Sequence, residues 1–243
     1  MPKPMFQTDP FALIVLFVGM SLLPFVAMVA TSYLNIVIVM SLIRNALGIQ
    51  SIPPNMVINA LAMILTFYIM APVFSESWNI ASSEMAARRP PAAVAGAQAA
   101  APDPAHPAGP GPYAPDPEAL SAASEPFRTW LSNHTPEKQR AFFVRTAEQL
   151  WGKDGEPAVI DHDSFFILIP SFCVAELTKA FQIGFLVYLP FIAIDIIVSN
   201  ILLAMGMMMV SPVTISLPFK LLLFVMVDGW TLLVQGLIRG YVL

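Results

Sequence analysis

Residues 10–43 read PFALIVLFVGMSLLPFVAMVATSYLNIVIVMSLI, and the run holds no Asp, Glu, Lys or Arg. As one unbroken helix it would be on the order of 50 Å long, more than a hydrocarbon core of about 30 Å can contain. The run must kink, tilt or leave the bilayer. Pro24 is the expected kink point, because its ring removes a donor from the helical ladder and crowds the preceding turn. A second uncharged run, Asn45 to Ser75, opens with Pro53-Pro54. Together these runs predict one helix over about 11–43 and another over about 56–74.

The rest of the composition agrees with a membrane setting. The chain is 57 % hydrophobic and 12 % charged, against about 25 % charged for a soluble domain. The reading is an all-α membrane protein with about four long, kinked apolar helices and one amphipathic helix outside the cytoplasm. Lys3 followed by an apolar run has the look of a secretory leader. A leader's apolar core is only about 7–15 residues, so a retained helix is expected instead.

Charge divides the chain in three. Twelve of the sixteen acids and seven of the twelve Lys and Arg fall within 76–163, which gives that region −5 and the remainder +1. Residues 76–163 thus read as a water-exposed insertion between two apolar hairpins, 1–75 and 164–243. Within it, 86–124 is mostly Ala, Pro and Gly. Such a segment cannot bury enough apolar area to offset its ordering entropy, so a disordered, proline-stiffened loop is expected. Order should return near Pro126, with 127–151 helical. Thr135-Pro136-Glu137 reads as a helix start, with Thr as N-cap, Pro at the first position and an acid in the first turn. Phe142, Phe143, Ala147 and Leu150 recur near helical spacing. The resulting helix over 136–151 either packs on its own membrane half or offers a partner surface.

In the second hairpin the spacing predicts a helix over 165–188, a break at Pro190, a continuation to about 205, a loop over Met207–Pro212 and a last helix over 213–240. Arg44 lies at the first short connection and Lys220 just beyond the second. An excess of Lys and Arg marks short cytoplasmic loops, which places both short connections inside and the acidic insertion outside.

Two groups of residues stand out as candidates for function. Met207, Met208 and Met209 fill the break between two apolar segments, beside Gly206 and ahead of Pro212. Flexible thioethers make an adaptable apolar surface. They form either a loop that packs on a neighbour or a soft seal, and Gly206 permits unusual backbone angles there. The second group is charged: Glu176, Lys179, Asp195, Lys220 and Asp228. Each charge at mid-bilayer depth costs at least ~2.5 kcal/mol and marks a function or a partner. Glu176 and Lys179 can share a helix face. Lys220 and Asp228 lie within about 80° of each other around a helix but too far apart along it to pair directly. Pairing within the chain, pairing between subunits and a proton relay all stay open.

Other chemistry is excluded or absent. Cys173 is the single cysteine, so no disulfide forms within the chain, and it reads as a small buried apolar residue. His106, His134 and His162 are scattered without metal-ligand spacing. There is no glycine-rich phosphate loop and no nucleophile motif. No enzymatic activity, cofactor, metal or nucleic-acid partner is expected. An ion- or proton-coupled small-molecule secondary transporter is the alternative function, using the intramembrane carboxylates. Such folds often show internal repeats, and none is evident between the two hairpins.

Several motifs carry a resemblance. Ser21-Leu22-Leu23-Pro24-Phe25, Arg44-Asn45-Ala46-Leu47-Gly48 and Pro53-Pro54-Asn55-Met56 come first. Ile169-Pro170-Ser171-Phe172, Glu176 through Phe185, Gly206-Met207-Met208-Met209, Leu217-Pro218-Phe219-Lys220 and Val227-Asp228-Gly229-Trp230 follow. In this order they resemble the FliP/SctR (YscR/HrcR) family of type III secretion export-apparatus core subunits, over roughly 11–76 and 126–240. The stretch 86–124 departs from the family pattern. Ser199-Asn200-Ile201-Leu202-Leu203-Ala204, with no convincing cleavable leader, is more similar to the virulence injectisome branch than to the flagellar one.

The resemblance implies copies arranged in a pentameric ring, completed by smaller and larger export-apparatus membrane subunits. The assembly would conduct unfolded secreted proteins across the bacterial inner membrane. It implies a methionine gasket at Met207–Met209, hairpins assembled into a cone largely raised from the bilayer plane, and charges that act as inter-subunit contacts.

Overall fold

The computed structural model describes residues 10–49, 52–87, 117–152, 160–207 and 209–242. The described residues form eight helices: α1 Pro10–Val29, α2 Tyr33–Ala46, α3 Asn55–Ala87, α4 Pro117–His134, α5 Glu137–Trp151, α6 Phe165–Ala204, α7 Pro212–Met226 and α8 Gly229–Arg239. By length and composition α3 and α6 can each cross a membrane, and the bent pairs α1–α2 and α7–α8 bring the number to four if each pair is one crossing.

The first apolar run is divided at Thr31-Ser32 and not at its proline. Pro24 sits inside α1, and the 58° bend falls between Val29 and Tyr33. There the Thr31 hydroxyl donates to the Ala27 carbonyl (2.8 Å) and accepts from the Tyr33 amide (3.5 Å). A hydroxyl that bonds the backbone in this way competes with the helical ladder. The other prolines behave alike. α6 is one helix of 40 residues through Pro170 and Pro190, so the expected break at Pro190 does not occur. α3 continues past its expected end near 74, through Pro72 to Ala87. Proline is tolerated in long apolar helices where neighbouring helices support the turn.

Three further expectations are corrected. The last helix is two, because α7 and α8 meet at 60° across Val227-Asp228. Helix α4 begins at Pro117, so 117–124 is helical where a disordered loop was expected, and Pro126 lies inside the helix. The remainder of the Ala/Pro-rich stretch, 88–116, lies outside the described residues. Thr135 does not cap α5. Its hydroxyl donates to the Leu131 carbonyl (2.7 Å), closing the end of α4, and Pro136 takes the N-cap position without a side-chain bond.

Helix α2 is the centre of the packing. Ile36, Val39, Met40 and Ile43 recur at the spacing of one helical face, and all are essentially inaccessible. That stripe belongs to one core with Ile58, Ala62 and Leu65 of α3, Ala180 and Phe191 of α6, Phe224 of α7, and Leu233 and Leu237 of α8. α6 comes closest at Gly184, where an added Cβ would lie 2.3 Å from the Leu42 side chain and 3.2 Å from its Cβ. A second core joins Met70 and Val73 of α3 to Trp130 and Leu131 of α4 and Leu168 and Phe172 of α6. Val144 and Ala147 of α5 cover Ile167. Arg140 fixes α5 in place through Glu137, Ser132 and Asp163. Those partners, led by the hydrogen bond to Glu137, raise its pKa further above the already high arginine value. The insertion therefore caps one end of the long helices. At the other end the turn after α2 and the start of α7 are neighbours, with Gly48 beside Val213 and Leu217.

Replacing Gly184 by Val should wedge α6 from α2 and destabilise the fold by about 1–3 kcal/mol. Thermal unfolding of the detergent-solubilised chain measures this, and an unchanged midpoint would show that the close approach carries no weight.

Candidate functional site

The methionine segment is the tip of the α6–α7 hairpin, and both of its ends are fixed by backbone geometry. At the end of α6 the Met207 amide donates to the Leu202 carbonyl (2.9 Å) and the Gly206 amide to the Leu203 carbonyl (3.0 Å). This six-to-one, five-to-two pair is a Schellman motif, which needs a left-handed residue at its centre. Gly206 supplies it with φ +74 and has nothing within 4 Å of where a Cβ would be, so the glycine is required by conformation and not by space. At the start of α7, Pro212 is the first helical residue and Ser211 before it is extended, as a residue preceding proline is driven to be. Between these anchors Met207 is 40 % exposed and Met209 fully exposed, and Met205, the C-cap just before Gly206, is 67 % exposed. Met208 lies outside the described residues.

About two helical turns behind the tip, Lys220 is bound from two other helices. Its Nζ donates to Asp195 Oδ2 (2.6 Å) and to the Ala46 carbonyl (3.2 Å). Asp195 Oδ1 also accepts from the Ser216 hydroxyl (2.6 Å). Ala46 is the last residue of α2, so the ammonium satisfies a carbonyl that the helix leaves without a partner and sits at the negative end of its dipole. Lys220 is only 4 % exposed, while the Asp195 side chain keeps 34 % exposure. One cation thus locks α2, α6 and α7 together.

A second polar node lies along α6 toward the insertion. Glu176 is 1 % exposed and accepts from Asn35 Nδ2 (2.8 Å) and from the Tyr241 hydroxyl. Lys179 Nζ lies 4.0 Å from Glu176, donates to the Gly240 carbonyl (2.8 Å) and sits 4.3 Å above the Tyr241 ring. The Tyr241 ring also stacks near Trp130. Burial, reinforced by the Glu176 carboxylate, pushes the Tyr241 phenol far above the ordinary tyrosine range. It therefore stays a proton donor to Glu176. The residue after α8 is in this way bound to α2, α4 and α6.

The corner between α7 and α8 explains the Asp-Gly-Trp sequence. Asp228 is left-handed (φ 51), a conformation Asp tolerates better than most residues. A Cβ on Gly229 would fall 2.3 Å from the Phe224 ring. Trp230 meets that ring edge to face, with centroids 5.4 Å apart. The Asp228 carboxylate is exposed, makes no cap bond, and has no ion-pair partner among the described residues.

Of the five charges singled out from the sequence, the structure joins Glu176 with Lys179 and Asp195 with Lys220, and leaves Asp228 apart. Lys220 finds its partners within the chain, one of the pairings the sequence left open. Asn35, Ser216 and Tyr241 were missed as partners. Asn35 had a signal, since it is a lone amide in an apolar run. Among the described residues no group of His, Cys, Asp and Glu could hold a metal, and Cys173 is half-buried, with burial shared between core and surface.

The FliP family pattern matches residues 16–237. The chain is 45 % identical to the Yop proteins translocation protein R of Yersinia pestis over 234 residues, covering 96 % of this chain and 97 % of that protein. It is 44 % identical to the hypersensitivity response secretion protein HrcR of Ralstonia nicotianae, covering 95 % and 96 %. It is 37 % identical to the flagellar biosynthetic protein FliP of Bacillus subtilis, covering 94 % and 90 %.

If Lys220 and Asp195 stabilise the chain through each other, Lys220→Met and Asp195→Asn will each destabilise it and the double variant will lose less than their sum. A double-mutant cycle by detergent unfolding should give a coupling of about 2 kcal/mol. A coupling near zero would mean that the two side chains act separately.

Proposed function

The chain belongs to the FliP family, and from that premise we propose that it is a core pore-forming subunit of a type III protein secretion export gate, of the injectisome kind. Copies of the chain form a ring, a pentamer by resemblance, completed by smaller and larger membrane subunits of the apparatus. The ring conducts unfolded secreted proteins across the bacterial inner membrane, with the short connections facing the cytoplasm and the insertion outside. The Yersinia relative named for Yop translocation and the Ralstonia relative named for hypersensitivity response secretion support this reading, at 45 % and 44 % identity against 37 % for the flagellar relative.

The observation that carries the seal is the methionine tip. Large thioether side chains stand in the open on a loop whose two ends are locked, with no polar group between Gly206 and Val210. Burying such side chains is favourable, at about 25 cal/mol per Å2 of apolar area. Tips from several copies would therefore close on one another around an axis. They would yield to a passing chain of any sequence, because Met adapts its rotamers to irregular partners. The transporter alternative has less to work with. Of the carboxylates it would titrate, Glu176 and Asp195 are held by Asn35, Tyr241, Ser216 and Lys220, which leaves Asp228 as the carboxylate without an ion-pair partner among the described residues.

Alanine at Met207, Met208 and Met209 together is expected to leave the complex assembled and to raise ion leakage across the inner membrane of cells. Leakage and secretion both at wild-type levels would remove the seal from the reading.

A further inference from the structure

The apolar parts of the chain hold few ionisable groups, and nearly all of them are bonded internally. Within 10–75 and 165–242 the described Asp, Glu, Lys and Arg side chains are Arg44, Glu176, Lys179, Asp195, Lys220, Asp228 and Arg239. Arg44 donates to the Asn55 side chain and the Pro53 carbonyl. Glu176 with Lys179, and Asp195 with Lys220, form the two nodes above. The two left over are Asp228 and Arg239, which are exposed and have opposite charge.

Both belong to α8. Asp228 stands at its N-cap and Arg239 in its last turn. They are about 16 Å apart along the axis and within about 20° of each other around it, so they share a face but cannot meet in one chain. Between them the same face carries Leu232, which is 59 % exposed, and Gln235. Leu233 and Leu237 point the other way, into the core. The 60° bend at Asp228 turns α8 out of line with α7, which directs its two ends sideways from the hairpin.

We propose that the two ends of α8 are contacts between copies of the chain, in which Asp228 at the start of the helix in one copy pairs with Arg239 at its end in the next. The complementarity is internal to the sequence: one strip has an acid at one end, a cation at the other, and an apolar side chain and an amide between. Each copy then gives an acid to one neighbour and a cation to the other, the head-to-tail arrangement from which rings are built. The partner is a second copy and not lipid, because a headgroup that takes Arg239 leaves the Asp228 carboxylate without a cation. The inference rests on the export-gate reading for the existence of a ring and adds the residues that close it.

The test uses the full chain in its native membrane with the other export subunits present and Cys173→Ser as background. Two differently tagged copies, one Asp228→Cys and one Arg239→Cys, are expected to form a disulfide-linked pair on oxidation. Two Asp228→Cys copies should form far less. Equal cross-linking in both mixtures, or none in either, overturns the pairing. In a second arm Asp228→Arg and Arg239→Asp should each reduce copurification of the two tags by about tenfold or more, as for a lost charge pair at an interface. The double variant should recover most of it, and this recovery also shows that the single variants fold. A double variant no better than the worse single one overturns the proposal. Secretion in a strain lacking the chain separates the two readings: if secretion needs the chain while the pairing fails, only the α8 contact is wrong.

Discussion

An ammonium in an apolar interior must find oxygen, and Lys220 of α7 finds it on two other helices, α2 and α6. Its bonds to Asp195 and to the end of α2 determine how the rest of the chain can be arranged. The α6–α7 hairpin must be in register for Asp195 and Ser216 to meet, and α2 must end where its last carbonyl faces the ammonium. Taking one partner from a buried pair costs about 3–5 kcal/mol, chiefly because the other charge is left stranded; the partial exposure of Asp195 lowers that figure here. The node lies about two helical turns behind the methionine tip, so the exposed end of the hairpin is carried on a strongly tied part.

The Glu176 node plays the matching role toward the insertion. It draws in an amide from α2, a phenol from beyond α8 and, through Tyr241, the aromatic cluster of α4. The two nodes divide the labour of holding the long α6. One joins the hairpins to each other near the short connections, and the other joins them to the helices of the insertion. What little charge the apolar parts contain is mostly spent on these joints.

Much of this was legible in the residues and some was not. The apolar runs announced helices, and the i, i+3, i+4, i+7 stripe of α2 lies where the core is. Gly206 and Pro212 bracket a loop as their chemistry requires. Two prolines misled, since Pro24 and Pro190 stay inside helices. The real breaks come where a side chain or a left-handed residue competes with the ladder, at Thr31 and at Asp228. The spacing paired Glu176 with Lys179 because that contact is local. It could not reveal Asp195 with Lys220, or Glu176 with Asn35 and Tyr241, because those pairs depend on how helices distant in sequence are laid side by side.

The anchoring of the loop by Gly206 on one side and Ser211-Pro212 on the other has a consequence for time. A tip fixed at both ends can respond to contact only by turning its side chains, and exposed side chains change rotamer in picoseconds to nanoseconds. Movements of helices as long as α6 belong to microseconds and slower. Whatever presses against Met207 and Met209 is therefore answered, and released, long before the scaffold behind them can move.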